Sequence, residues 1–175
     1  MTKLLPMTQP ELDTFLELAI PEYAADHIRA GYWDEAEALE KSRKEFETLL
    51  PQGVQSENHY LYSIYDGDVA VGVIWMRVNM DPPTKSGFIF DLRIDEKFRG
   101  RGYGKQAMSL IEEKARELGL KSLALHVFAV NTVAPNLYES VGYETTSLNM
   151  TKSYKRSDVP KRFGIIKKGI FNYVI

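Results

Sequence analysis

The sequence contains no cysteine among its 175 residues. Disulfide bonds, thiolate metal sites and a cysteine acyl-enzyme are therefore excluded. It also lacks an apolar run of membrane-spanning length and a basic-then-apolar leader, so we expect a cytoplasmic protein with no membrane partner. The formal net charge is only −2, which gives no reason to expect nucleic acid as a partner.

The composition is that of an ordinary globular protein. Hydrophobic residues make up 44% of the chain and charged residues 26%. A chain of this length can form one domain with a substantial core. We find no internal repeat.

The N-terminal third is predicted to be mainly helical, after a short first strand over residues 3–7. The pattern Thr8-x-x-Glu11 is a capping box, and an apolar helical face follows it. Proline in a helix interior removes a hydrogen bond, so Pro21 is expected to break or kink this helix. A second helical piece is then expected over residues 22–32, and a further helix begins at Asp34.

The middle and C-terminal parts alternate between strands and helices. Asp66-Gly67 is a tight-turn pair between two β-rich runs and predicts an antiparallel hairpin. The helix that follows strand 87–95 leads into another strand, so these two strands should be parallel neighbours. The predicted elements are strands 60–65, 69–78, 87–95, 121–128 and 143–150, helix 103–119, and a helix capped by Asn131 or Thr132 and ended by Gly142.

The turn before helix 103–119 is rich in glycine and cations: Arg99-Gly100-Arg101-Gly102-Tyr103-Gly104-Lys105. Free backbone N–H groups at a helix N-terminus, backed by the helix dipole, bind phosphate or pyrophosphate. The spacing fits neither the dinucleotide fingerprint nor a Walker loop. The alternative is a turn whose glycines serve only to allow positive φ. Three glycines among three cations favour the anion site.

This run resembles the acyl-CoA-binding signature of the GNAT superfamily of N-acyltransferases, Arg/Gln-x-x-Gly-x-Gly/Ala. Arg99, Gly102 and Gly104 fill its positions. A second stretch resembles the other motif of the family, through Leu125, Val127, Asn131, Ala134, Leu137, Tyr138, Gly142 and Tyr143.

The resemblance implies the GNAT fold. This is an α/β fold with a mixed, mostly antiparallel central sheet, a splayed parallel strand pair at the acyl-CoA site, and helices on both faces. The domain is expected to cover residues 1–152, followed by a basic C-terminal extension over residues 153–175. That extension holds six Lys/Arg and one Asp, a net charge of +5 against −7 for the remainder.

The resemblance also implies the activity: direct attack of a primary amine on acetyl-CoA, without a metal. In the family, backbone amides of the glycine turn hold the pyrophosphate, and the pantetheine pairs with the strand before the turn. An asparagine at the position of Asn131 often bonds to the pantetheine, although a helix N-cap is an equally good role for it. Pro135 departs from the usual pattern and leaves the start of its helix open. The implied cofactor-binding residues are Leu92, Ile94, Arg99, Gly100, Arg101, Gly102, Tyr103, Gly104, Lys105, Asn131 and Asn136.

Two residues are implied to be catalytic. Tyr138 occupies the family position of the acid that protonates the coenzyme A sulfur, although spacing alone would make it a core tyrosine. His126 is the first candidate for the base because its ordinary pKa lies at ~6.5. A hydrogen-bonded histidine on a half-buried strand is its equal alternative. Asp91 is the second candidate, and a bound water is a third.

The acceptor is expected to be an amine-bearing small molecule or peptide. Tyr23, Trp33 and Asp91 are weak candidates for contacting it, since aromatic rings and carboxylates suit a cation. Small amines, peptide N-termini, lysines and aminoglycosides all stay open, and a homodimer is compatible with the sequence. Two rival functions are a catalytically silent acyl-CoA sensor and an interaction domain built around the basic extension.

Overall fold

The computed structural model describes residues 1–127, 131, 134–148 and 150. The chain divides into two units, Met1–Tyr143 and Glu144–Ile175. All the helices and strands below belong to the first unit. They are β1 (Thr2–Pro6), α1 (Gln9–Arg29), α2 (Glu35–Leu49), β2 (His59–Asp66), β3 (Val69–Asn79), β4 (Ser86–Ile94), α3 (Tyr103–Glu117), β5 (Ser122–Leu125) and α4 (Ala134–Ser140).

Five strands form one mixed sheet in the order β1-β2-β3-β4-β5. The first three pairings are antiparallel, and α3 connects β4 to β5, which lie parallel. The predicted fold class, a mostly antiparallel mixed sheet with one parallel pair, is confirmed.

Helices cover both faces of the sheet, as predicted. On β3, Ile74 and Met76 belong to a core with α3 and α4, whereas Val73 and Trp75 belong to a core with α1 and α2. Neighbouring residues of a strand point to opposite faces, so each core occupies one face of the sheet.

The first helix corrects one prediction. It runs without interruption through Pro21 and ends at Arg29, so there are not two helical pieces. A proline inside a helix costs about 3 kcal/mol or more. Tertiary contacts offset this cost: residues on both sides of the proline are buried, and Ser42 of α2 donates a hydrogen bond to the Ile20 carbonyl at 2.7 Å. The predicted capping box of Thr8 and Glu11 is present.

The predicted last strand is also wrong in the described residues. Residues 143–148 and 150 have no strand conformation, and residues 144–148 and 150 are exposed. Their threonines and serine have the composition of a strand, but strand propensity expresses itself only where a side of the strand is packed.

None of the helices in the described part of the chain is long and apolar enough to span a membrane.

A histidine in the α1–α2 core should make folding stability depend on pH. The indole N–H of Trp75 donates to Nδ1 of His59 at 2.9 Å, which requires an unprotonated Nδ1. Burial, followed by the charge of Arg77, lowers the pKa of His59 to about 4. The unfolded chain therefore takes up this proton more readily, and stability is lost as the pH falls from the unfolded pKa towards the folded one.

We expect the free energy of unfolding to fall by about 2 kcal/mol between pH 7 and pH 4 on account of His59, after allowance for partial exposure. Urea unfolding of the wild type and of His59→Gln at both pH values measures this. Other titrating groups act alike in both proteins, so the variant should lose less stability on acidification. An equal loss in the two proteins would contradict the assignment.

Candidate active site

The glycine turn has the backbone conformation expected of an anion cradle. Gly100 and Gly102 have positive φ, +74° and +83°. Gly102 is the N-cap of α3, which begins at Tyr103. The first N–H groups of a helix have no acceptor within it, so those at the start of α3 remain available to a ligand. A side chain at Gly100 would meet no atom of the described protein within 4 Å.

The side chains around the turn have distinct roles. Nε of Arg99 donates to the Ile94 carbonyl at 3.0 Å, which ties the turn to the end of β4. The guanidinium of Arg101 lies 5.6 Å from the centre of the Phe98 ring. Tyr103 donates its hydroxyl to Asp66 at 2.6 Å, so its side chain anchors α3 to the β2–β3 hairpin. Only the backbone of Tyr103 is then left for a ligand.

Gly104 brings the glycine turn against α4. A Cβ at this position would lie 3.2 Å from Cδ2 of Leu137, closer than normal packing allows. Leu137 precedes Tyr138 on α4, so the absence of a side chain at Gly104 lets the helix of Tyr138 approach the glycine turn.

The parallel strands separate at a bulge in β4. β5 pairs with β4 from Ser86 to Ile89 only, ending at Leu125. On the other side, Met76 pairs with Ile89 and Trp75 with Asp91, so Phe90 is an extra residue. A bulge bends and twists its strand, and β5 loses contact there.

Two consequences follow from this bulge. The predicted strand 121–128 is shorter than expected: β5 ends at Leu125, and the described residues His126 and Val127 are not in a strand. Past the bulge, no strand in the described part of the chain pairs with the outer edge of β4. The predicted splay is therefore present, and Leu92 and Ile94 lie beside it.

The bulge also places charged side chains on the α1 side of β4. Leu92 and Ile94 pack against the α3–α4 core. Arg93 points the other way, with its guanidinium 5.5 Å from the centre of the Phe15 ring of α1. Its Nη2 lies 2.7 Å from Oε2 of Glu22 and 3.7 Å from Oδ2 of Asp91.

Asp91 is unusual among the described carboxyl groups. Burial is the main influence on it, and the Glu22 charge adds to that effect, while Arg93 opposes it. The net result raises the pKa of Asp91 to about 6. A carboxyl with this pKa can exchange a proton near neutral pH.

Tyr138 lies on α4 in the α3–α4 core, with its ring centre 6.0 Å from that of Tyr143. Burial, with a smaller contribution from the negative charge of Asp91, raises the pKa of Tyr138. Its phenol therefore stays protonated at neutral pH, as a proton donor must.

His126 directly follows β5, where the two parallel strands part. Burial lowers its pKa, and the charge of His27 on α1 lowers it further. Its ring is neutral at pH 7 and can accept a proton.

The two asparagines of the second motif differ in role. Oδ1 of Asn131 accepts a hydrogen bond from the backbone N–H of Ala134 at 3.1 Å, which is a capping contact for α4. Pro135 lies in the first turn of that helix, where its missing N–H costs no intrahelical hydrogen bond. Asn136 is exposed on α4.

The aromatic residues proposed for the acceptor pack mostly against one another. His27 stacks on Trp33 with ring centres 4.0 Å apart, and Tyr23 lies 4.2 Å from His27. Tyr23 also packs edge-on against Phe46 of α2. This group forms the C-terminal end of α1 and the segment before α2.

The sequence interpretation missed Arg93 and His27. The sequence could have indicated Arg93, because it lies two residues after Asp91 in a strand that is otherwise apolar, and residues at this spacing share a face of a strand. His27 had none, because its neighbours Trp33 and His126 come from other elements. Among the described residues, no group of three or more His, Asp or Glu side chains could hold a metal ion.

The fold and the site define a class: an α/β protein in which a splayed parallel strand pair adjoins a glycine-rich turn at the N-terminus of a helix. Comparison with known proteins agrees. The sequence profile of the Acetyltransferase (GNAT) family matches residues 13–143. The chain belongs to this acetyltransferase family, which uses acetyl-CoA.

Two relatives come from Bacillus subtilis (strain 168). The uncharacterized N-acetyltransferase YdgE is 39% identical over 147 residues, covering 83% of this chain and 94% of YdgE. YycN, also an uncharacterized N-acetyltransferase, is 36% identical over 151 residues, covering 85% of this chain and 96% of YycN. A crystal structure of YycN matches with a TM-score of 0.84 and 34% identity, covering 89% of this chain and 99% of that one.

A more distant structure, AAC(6')-Iy in complex with the bisubstrate analogue CoA-S-monomethyl-acetylneamine, shares the fold. Its TM-score is 0.57 at 15% identity, covering 89% of this chain and 99% of that one.

Proposed function

We propose that this protein moves an acetyl group from acetyl-CoA to a primary amine by direct attack within a ternary complex. The observation that carries this proposal is the outer edge of β4 from Phe90 to Ile94, shortly before the glycine turn, with which no strand in the described part of the chain pairs. An extended pantetheine arm fits an open strand edge, and a pyrophosphate fits the helix N-terminus that follows.

The residues along this edge fit the two ends of the cosubstrate. Backbone N–H groups from Gly102 to Lys105 would receive the pyrophosphate, with Arg99 and Arg101 beside them. Leu92 and Ile94 would line the pantetheine. Asn131 and Asn136, on the other wall, are proposed to flank it.

The chemistry requires a proton donor for the sulfur and an acceptor for the amine proton. Each such group contributes roughly 10²–10⁴-fold in rate. Tyr138 is proposed as the donor, because its phenol is held protonated beside the splay. Asp91 and His126 are the two candidates for the acceptor.

Acetyl-CoA turnover with a panel of amines tests the proposal. The panel should contain alkylamines, a lysine-containing peptide, a peptide with a free N-terminus and an aminoglycoside, with release of the coenzyme A thiol as the readout. We expect at least one amine to be acetylated. Tight binding of acetyl-CoA in calorimetry without turnover of any amine would instead favour a silent sensor.

The basic C-terminal extension should be dispensable for this chemistry. Both motifs lie before residue 152, and the family match ends at residue 143. Truncation after Lys152 should therefore leave kcat and the affinity for acetyl-CoA unchanged. Circular dichroism must show that the truncated protein is folded. A folded truncation without activity would show that the extension contributes to the site.

A further inference from the structure

Three charged side chains lie in a row on the α1 side of β4: Glu22, Arg93 and Asp91. Glu22 of α1 contacts Nη2 of Arg93, and the same nitrogen lies 3.7 Å from Asp91. Glu22 is largely exposed, whereas Arg93 and Asp91 are 18% and 24% exposed. The Arg93 guanidinium therefore links the exposed carboxylate of Glu22 to the less exposed carboxylate of Asp91.

Packing restrains Arg93 in this position. Its guanidinium lies over the Phe15 ring, and its Nη1 is buried without a hydrogen-bond partner in the described part of the chain. An unpaired buried donor costs ~1–3 kcal/mol. Arg93 is therefore held in place by its contact with Glu22 despite this cost. Asp91 is the second carboxylate near the same nitrogen.

We propose that Asp91 is the catalytic base of the acetyl transfer and that Arg93, held by Glu22, is the residue that positions it. This inference rests on the proposed function. It identifies which of the two candidate proton acceptors acts, and it assigns a role to an α1–β4 contact that the family match does not address.

Its position in the structure supports Asp91 as the base. The proton donor and the proton acceptor must both reach the thioester and its attacking amine. Asp91 has a side chain that can position it: Nη2 of Arg93 lies 3.7 Å from its Oδ2 and is held by Glu22 at 2.7 Å. Asp91 also lies on β4 itself, beside the edge proposed for the pantetheine.

The proton balance is as follows. The neutral amine attacks the acetyl carbonyl carbon, so that a C–N bond forms. The nitrogen then loses a proton to the Asp91 carboxylate, the C–S bond breaks, and the Tyr138 hydroxyl gives its proton to the departing sulfur. The products are the N-acetyl amine and the free thiol. Proton transfer from Asp91 to the tyrosinate, directly or through solvent, restores both groups.

Protonation of Asp91 would make Tyr138 a better proton donor at the stage when its proton is needed. Burial is the main cause of the raised pKa of Tyr138, and the charge of ionised Asp91 adds to it. Once Asp91 has accepted the amine proton, this charge is gone and the phenol becomes a stronger acid, at the stage when the sulfur needs a proton.

The pH profile of kcat/KM tests the proposal through two substitutions with opposite effects. In the described part of the chain, the charged groups that act on Asp91 are Arg93 on its own strand and Glu22 from α1, and the charge of Asp91 in turn acts on Tyr138 of α4. Arg93→Gln removes a positive charge, so the acidic limb should move to higher pH by on the order of 1 unit. Glu22→Gln removes a negative charge, so the limb should move to lower pH by a smaller amount.

Matched variants separate this effect from general damage. Glu17→Gln makes the same change of charge at another exposed position of α1 and should leave the profile unchanged. Arg93→Lys keeps the charge and should return the limb towards its wild-type position. Asp91→Asn should abolish the limb and lower kcat by at least ~100-fold. The most active amine of the panel serves for every variant, so its own ionisation is common to all profiles.

If the acidic limb of kcat/KM moved in the same direction in Arg93→Gln and Glu22→Gln, or did not move in either, the positioning role of Arg93 would be overturned. Loss of the limb in His126→Gln, with retention in Asp91→Asn, would overturn the assignment of the base. If the wild type acetylated no amine, the proposed function and the base would fail together. NMR titration of ¹³C-labelled aspartate in wild type, Arg93→Gln and Glu22→Gln would still decide whether Arg93 and Glu22 control the ionisation of Asp91.

Discussion

Gly102→Val should weaken acetyl-CoA binding by at least about 100-fold. Hydrogen bonds to a charged group contribute ~1.5–3 kcal/mol each, and the loss of two at the glycine turn gives this factor at ~1.4 kcal/mol per tenfold change. Gly102 has a φ of +83°, and among the described residues a Cβ there would meet only Nε2 of Gln106, at 3.6 Å. Valine there would project into the space proposed for the pyrophosphate and would disfavour the N-cap conformation. Calorimetric titration with acetyl-CoA measures the effect.

Gly119→Val is the matched control. Gly119 follows the other end of α3 and has a φ of +72°, and a Cβ at this position would meet no atom of the described residues within 4 Å. The same substitution therefore imposes a similar backbone strain without approaching the turn. We expect similar losses of folding stability in both variants but loss of binding only in Gly102→Val. Undiminished affinity in folded Gly102→Val would rule out this site.

Gly104 is a less informative position for this experiment. A Cβ there would meet Leu137 at 3.2 Å, so a side chain would push against α4 as well as the turn. A loss of binding in a Gly104 variant would mix two causes.

Local signals explain why the glycine turn could be predicted from the sequence. The strand, the glycines and the start of α3 are adjacent in the chain, and each has its own residue preference. The same holds for the capping box of α1 and for the β2–β3 hairpin at Asp66-Gly67. These parts of the fold are among those that sequence reasoning placed correctly.

The remaining features depend on partners distant in sequence. Continuity of α1 through Pro21 requires packing on both sides of the proline and the hydrogen bond from Ser42. The early end of β5 follows from the extra residue Phe90 in another strand. No local sequence pattern predicts the continuity of α1 or the early end of β5.

The site shows the same division. The motif placed Tyr138 beside the glycine turn, and Gly104 explains how α4 comes so near. The contact of Arg93 with Glu22 joins residues of β4 and α1, so only the tertiary structure could reveal it.

Tyr138→Phe should lower kcat by ~10²- to 10⁴-fold with little change in acetyl-CoA affinity. Phenylalanine keeps the ring and its packing in the α3–α4 core but removes the proton that the departing sulfur requires. An interaction made only in the transition state affects kcat and leaves ground-state binding unchanged. Single-turnover kinetics, in which chemistry limits the rate, gives kcat for the acetyl transfer, and calorimetry gives the affinity.

Tyr143→Phe provides the control, because the two tyrosines share one core. Their ring centres are 6.0 Å apart, and the buried Tyr143 hydroxyl has no hydrogen-bond partner in the described part of the chain. Removing an unpaired buried hydroxyl is nearly neutral for stability, so Tyr143→Phe should keep the wild-type kcat. Wild-type kcat in Tyr138→Phe as well would make Tyr138 a packed core tyrosine and remove it from the mechanism. A large loss in Tyr138→Phe alone would locate the proton donor at one hydroxyl of an otherwise equivalent pair.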